Sequence, residues 1–74
     1  MTVDLRLVRH ALALAKHRNF ARAAAALHLS QPTLSRNIAS LERALGVRLF
    51  DRNPTGVEPT SFGRLVLERG EQLL

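Results

Sequence analysis

No cysteine occurs in the chain, so neither a disulfide framework nor a thiolate zinc site is available, and a reducing, cytoplasmic setting is the simplest expectation. Three separated histidines, His10, His17 and His28, make no metal set, and neither a metal nor a cofactor is expected. Tryptophan and tyrosine are absent as well, which removes the aromatic platform on which single-stranded nucleic acids stack. Phe20, Phe50 and Phe62 are the only aromatic residues and are assigned to the core. No apolar run approaches the roughly 18 residues of a membrane span, and Met1 to Lys16 mixes acid and base with apolar residues, unlike a signal peptide. A paired-carboxylate cleft, a nucleophile beside a base and a glycine-rich phosphate loop are also missing, which disfavours an enzyme. There are no repeats and no low-complexity segments.

What the chain does have is positive charge of one kind. Eleven cations against six acids give a formal charge of +5, and Lys16 is the sole lysine among those cations. Guanidinium forks match phosphate oxygens and guanine edges in a way that lysine does not. Net charge alone does not separate this reading from a merely solvated surface. With 74 residues the chain makes one small domain. A domain of that size buries only about 60% of the surface its unfolded form exposes, so its stability is marginal without a partner.

Apolar residues at Leu5, Val8, Leu12 and Ala15, with Ala11 beside them, predict a first helix from Asp4 to His17. Asp4 favours its positive N-terminal end. Leu7 and Leu14 widen the apolar surface, so this helix is expected to touch two neighbours, one of them in a second subunit. Asn19 is a good N-cap for a second helix from Phe20 to about Leu27, whose run of alanines permits close helix approach. His28 follows where a residue tolerating positive φ is favoured. Ser30 then caps a third helix with Gln31 and Pro32 in its first turn. Proline loses no hydrogen bond there, and its fixed φ is already helical.

Within this third helix Leu34, Ile38, Leu41 and Leu45 fall within about 60° of arc and form the buried stripe. Pro32, Arg36, Ala39 and Arg43 occupy the opposite side, flanked by Thr33 and Ser40 on one edge and Ser35 on the other. Gly46 ends the helix. The segment "VRLFDRNPTGVEP" reads as strand, turn, strand, with Asn53-Pro54-Thr55-Gly56 as the turn. Thr60 or Ser61 caps a last helix through Phe62, Leu65, Val66, Arg69 and Leu73. It stops on Leu73-Leu74 without a closing signal and is read as a truncated helix of a longer protein.

Three helices, the second and third joined by the tight turn His28-Leu29-Ser30, then a hairpin, is the order of a mainly α winged helix-turn-helix. A helix about 10–12 Å across fits a major groove about 12 Å wide when its outward face carries short polar groups and arginine. The strings "NFARAAAALHLSQPTLSRNIASLERALGVRLFDRNPTGVEPTSFG" and, before it, "DLRLVRHALALA" resemble the N-terminal DNA-binding domain of LysR-type bacterial transcriptional regulators, from Asp4 almost to the end. The resemblance implies a winged helix-turn-helix domain over residues 1–60, followed over 61–74 by the start of a linker helix that pairs with that of a second subunit. It implies double-stranded DNA as the partner, a homodimer on an interrupted palindrome and higher oligomers of the full-length protein. A small-molecule effector would enter only through a C-terminal domain that is absent here.

Carried over position by position, the resemblance sets Gln31 and Pro32 at the tip of a recognition helix spanning about residues 31–45 in the major groove. Thr33, Ser35 and Arg36 then correspond to positions that reach base edges or phosphates, Ser30 to a phosphate contact and Arg52 to a wing arginine at the minor groove. Arg22 is a phosphate candidate from the second helix, whereas Arg43, further along the outward face, suits a backbone contact or solvation. Arg48 is expected to pair with Asp51 or Glu42. Leu7, Leu14, Leu65, Val66 and Leu73 are the dimerisation candidates. Two departures weaken the pattern: Ala21 stands where many relatives carry a hydroxyl, and the wing tip has no extra cation and is followed by Glu58. The rival readings are a protein-interaction module that dimerises through the first and last helices, and another winged-helix family.

Overall fold

Each helix begins at a side chain that satisfies its otherwise unpaired N–H groups. In the computed structural model, which describes residues 3–73, Asp4 caps α1 (Leu5–His17) by accepting from the Arg6 N–H at 2.9 Å. Asn19 caps α2 (Phe20–Ala26), its Oδ1 accepting from the Arg22 N–H at 2.9 Å. Ser30 caps α3 (Gln31–Leu45), and Thr60 Oγ1 accepts from the Gly63 N–H at 2.9 Å to start α4 (Ser61–Leu73). Of the two alternatives read for α4, Thr60 is the cap. Between α3 and α4 lie β1 (Phe50–Asn53) and β2 (Gly56–Pro59), an antiparallel pair with Arg52 opposite Val57 and Asp51 opposite Glu58.

The turn between α2 and α3 is fixed by its backbone. His28 adopts a φ of 58°, and the Leu29 N–H bonds back to the Ala24 carbonyl at 2.8 Å, closing the left-handed cap that delivers Ser30 to the start of α3. Ala23 and Ala24 are both buried, so the small side chains expected to bring the two helices together lie in the contact. Gly46, at φ 72°, ends α3 as its sequence position predicts.

The wing docks through close backbone contacts. Arg18, the second non-glycine residue in the left-handed region, accepts from the Val57 N–H at 3.2 Å. A Cβ on Gly56 would sit 2.8 Å from that same carbonyl, so only glycine lets the strand approach. Glu42 of α3 accepts from the Leu49 N–H at 2.7 Å and the Phe50 N–H at 3.4 Å, holding the entry to the wing. Arg48 therefore does not take Glu42 and instead lies 3.8 Å from Asp51.

The core consists of Val8, Ala11 and Leu14 of α1, Ala23 and Ala24 of α2, and Leu34, Ile38 and Leu41 of α3, closed by Leu49, Phe50, Val57 and Leu67. This corrects three expectations. Leu14 is fully buried within the chain's own core and is not available at a subunit surface, whereas Leu5 of the predicted stripe is 46% exposed. Because α1 is surrounded by α2, α3 and α4, its inward arc is centred on Ala11. Phe62, assigned to the core, is 61% exposed. Helix α4 turns Gly63, Leu67 and Gly70 inward instead, and a Cβ on Gly63 would run into the Leu49 carbonyl.

Candidate nucleic-acid interface

The first turn of α3 projects from this scaffold with a connected set of polar groups. Ser30 Oγ donates to Thr33 Oγ1 at 2.8 Å and accepts from the Thr33 N–H at 3.2 Å, and Arg36 donates to the same Thr33 oxygen at 3.4 Å. Gln31, Pro32 and Arg36 are exposed, while Thr33 and Ser35 are half-buried at the edges of the outward face. Leu34, Ile38 and Leu41 anchor the opposite face, so the helix is immobilised by apolar packing on one side and presents hydrogen-bonding groups on the other. Leu45 is only partly buried, at the rim of the core.

Arg52 stands on β1 opposite Val57, one residue pair from the turn of the wing. Side chains alternate along a strand, so Arg52 shares a face with the buried Phe50, towards the helices. Its guanidinium stacks 4.4 Å from the centre of the Phe20 ring and donates to Ser35 Oγ at 3.2 Å. Phe20, Gln31, Pro32, Ser35 and Arg52 thereby line one shallow depression between the start of α2, the start of α3 and the wing. The tip itself is braced by Asn53, whose Oδ1 accepts from the Thr55 N–H at 3.0 Å and the Thr55 hydroxyl at 2.7 Å. Arg22 and Arg43 are exposed on α2 and α3, but neither belongs to this cluster.

Sequence reasoning did not find Phe20 as a partner of Arg52, Glu42 as the brace of the wing, or the contact between His10 and Asn37. Asn37 Nδ2 lies 3.2 Å from His10 Nδ1, joining α1 to α3. Partial burial pushes the His10 pKa below its ordinary value, and repulsion from Arg6 and Arg9 acts the same way, against the attraction of Asp4. The Asp4 carboxyl is likewise held below its usual range, by its hydrogen bonds from Arg6.

Among the dimerisation candidates, Leu65 is 50% exposed and Val66 half-buried on α4, and Leu7 is half-buried against the core. The side chain of Leu73 lies outside the described part of the structure. Phe62 and Leu5 extend the apolar exposure of Leu65 and were not among those candidates. No helix among the described residues is long and apolar enough to cross a membrane.

A helix-turn-helix whose second helix offers a polar, arginine-bearing face, followed by a two-stranded wing, defines the class: a winged helix-turn-helix DNA-binding domain. Residues 5–64 match the bacterial regulatory helix-turn-helix proteins of the lysR family, and the chain belongs to that family. It is 59% identical over 71 residues to the SDS degradation transcriptional activation protein of a Pseudomonas species, covering 96% of this chain and 23% of that protein. Against the HTH-type transcriptional regulator XapR of Escherichia coli it is 45% identical over 71 residues, covering 96% and 24%. The chain thus spans about a quarter of the length of these curated relatives, a transcriptional activation protein and a transcriptional regulator. Among solved structures it resembles the CbnR DNA-binding domain in complex with DNA, with a TM-score of 0.91, 37% identity and coverage of 96% of this chain and 82% of that one. The BenM DNA-binding domain on catB site 1 DNA is similar at a TM-score of 0.91 and 34% identity, with coverage of 96% and 76%.

Proposed function

We propose that the chain binds double-stranded DNA sequence-specifically, laying α3 in the major groove and the wing along the adjacent minor groove, as the DNA-reading part of a transcriptional regulator. The observation that carries this reading is the first turn of α3, where Gln31, Pro32 and Arg36 stand exposed beside Thr33 and Ser35 while Leu34, Ile38 and Leu41 hold the helix from behind. In this reading Arg36 takes a guanine edge and Gln31 an adenine, while Thr33 and Ser35 touch base edges or phosphates. The hydroxyl of Ser30 is engaged with Thr33, so a phosphate meets the N–H groups of the helix start beside it. Arg22 contacts phosphate from α2, and Arg52 reaches the minor-groove edge from the wing.

The reading extends to a homodimer. Phe62 and Leu65 form an outward apolar stripe on α4, with the half-buried Val66 and Leu7 at its edge, and an exposed stripe of this kind is what a partner helix covers; Leu73 is proposed to join it. Two such subunits place two recognition helices in successive major grooves of an interrupted palindrome. Residues 1–60 then form the DNA-binding domain and 61–74 open the linker helix, with effector sensing assigned to a separate C-terminal domain of a longer, cytoplasmic protein.

The test is Arg36→Ala measured on two duplexes, one selected from a random pool and one scrambled. Affinity for the selected duplex should fall by about 1–3 kcal/mol while the scrambled one is little affected. Equal losses on both remove the base-reading role. Tight dimerisation without DNA binding at moderate salt favours the purely protein-interacting alternative, which the exposed α4 stripe supports.

A further inference from the structure

Phe20, Arg52 and Ser35 belong to three different elements, the first residue of α2, the inward face of β1 and the edge of α3, yet their side chains form one chain of contacts. Arginine has no acceptor, so Ser35 Oγ can only accept in its 3.2 Å bond from Arg52. A guanidinium at that distance also repels the hydroxyl proton, which turns the O–H dipole away from Arg52. The ring of Phe20, 4.4 Å from the guanidinium carbon, covers one face of the guanidinium and fixes where it sits.

We infer that Phe20 is a positioning residue for DNA reading: by seating Arg52 it makes Ser35 meet the major groove as a hydrogen-bond donor. This rests on the proposed entry of α3 into that groove. A donor at Ser35 selects an acceptor edge, a purine N7, guanine O6 or thymine O4, and rejects the amino groups of cytosine and adenine. The wing thus contributes to base choice at a position it does not itself touch. The half-exposed aromatic at the start of α2 supplies more than filling for the rim of the core.

The experiment is a selection from duplexes with a randomised central region, read by sequencing, for the wild-type chain and for S35A, F20L, F20Y and R52K, with thermal midpoints measured alongside. S35A should lose preference at one base position of the selected site by roughly tenfold, the size of a single mismatched contact. F20L should lose roughly two- to fivefold at that same position, the size of an exposed cation–π contact, with the other positions unchanged. R52K, which keeps the charge but loses the flat fork, should lose the preference at that same position as F20L does, beside any change at positions under the wing, whatever the Phe20 variants do to stability. F20Y keeps the ring and should restore the wild-type preference. The inference is overturned if F20L and R52K retain the preference that S35A removes, if they flatten every position alike, or if F20Y behaves as F20L. Enrichment of no sequence by the wild-type chain overturns the DNA-binding reading itself, and the inference with it.

Discussion

At the scale of single residues, the groups outside the proposed DNA-reading edge matter because they hold α3 in place. His10 is the clearest case. Its Nδ1 faces the Asn37 amide across the contact between α1 and α3, and partial burial holds its pKa below 6.5 in the folded chain. The unfolded chain therefore binds the proton more readily, so the contribution of His10 to stability is complete above the unfolded pKa and is lost as pH falls through it towards the folded value. The thermal midpoint of the wild-type chain should drop between about pH 7 and pH 5, and His10→Gln, which keeps a side-chain acceptor, should flatten that part of the curve. Identical pH profiles for the two proteins would remove His10 as a source of the dependence.

Residues whose role is set by local backbone chemistry were legible in the sequence. Ser30 and Pro32 at the start of α3, His28 at positive φ and Gly46 at its end each follow from caps and dihedral preferences that act within a few residues. Arg52 was legible only in part. Its period-two partnership with Phe50 directs it inward, but the ring of Phe20 and the hydroxyl of Ser35 reach it from elements far apart in the chain.

Whole elements were legible in kind and extent, while the faces they bury were not always so. Helix α3 has a single apolar stripe, and Leu34, Ile38 and Leu41 turn inward as the periodicity requires. Helix α1 carries apolar residues around most of its circumference, so periodicity does not choose between Leu5 and Leu14; the three helices around it do. In α4 the inward face contains Gly63 and Gly70, which carry no hydrophobic signal, so the sequence did not single out the buried Leu67 and placed Phe62 in the core, whereas Leu65, read as a dimerisation candidate, is exposed. The close approach at Gly63 makes its own prediction. Gly63→Ala sets a methyl group against the Leu49 carbonyl and should destabilise the domain by about 1–3 kcal/mol, the usual range for overpacking. Thermal unfolding checks this, with a fall in the midpoint of at least several degrees expected for a domain of this size. An unchanged midpoint would show that α4 can shift away from the wing entry without penalty.

At the scale of the molecule, the fold solves a placement problem. A principal-axis extent of 30 × 24 × 21 Å leaves little interior, and all of it is used to lock one helix so that its first turn stands proud beside a wing. The caps, the left-handed turn at His28, the Glu42 brace and the Arg18 contact all orient that turn. The net charge of +5 supplies attraction to a polyanion but no base choice, which in the proposed function falls to Gln31, Thr33, Ser35 and Arg36. The stripe on α4 faces away from the chain's own core, where a second subunit completes the arrangement in the proposed dimer. This division between a reading edge and an assembly edge makes the two separable by experiment.

The most direct test of the central claim, that the outward turn opened by Ser30 is the surface that meets DNA, is an amide NMR titration of the isotope-labelled chain with a duplex from the random-pool selection. The largest shifts should cluster at Gln31 to Arg36 and at Arg52, with α4 moving little beyond any change in dimerisation. Shifts concentrated on α1 and α4, with the start of α3 unmoved, would contradict the account.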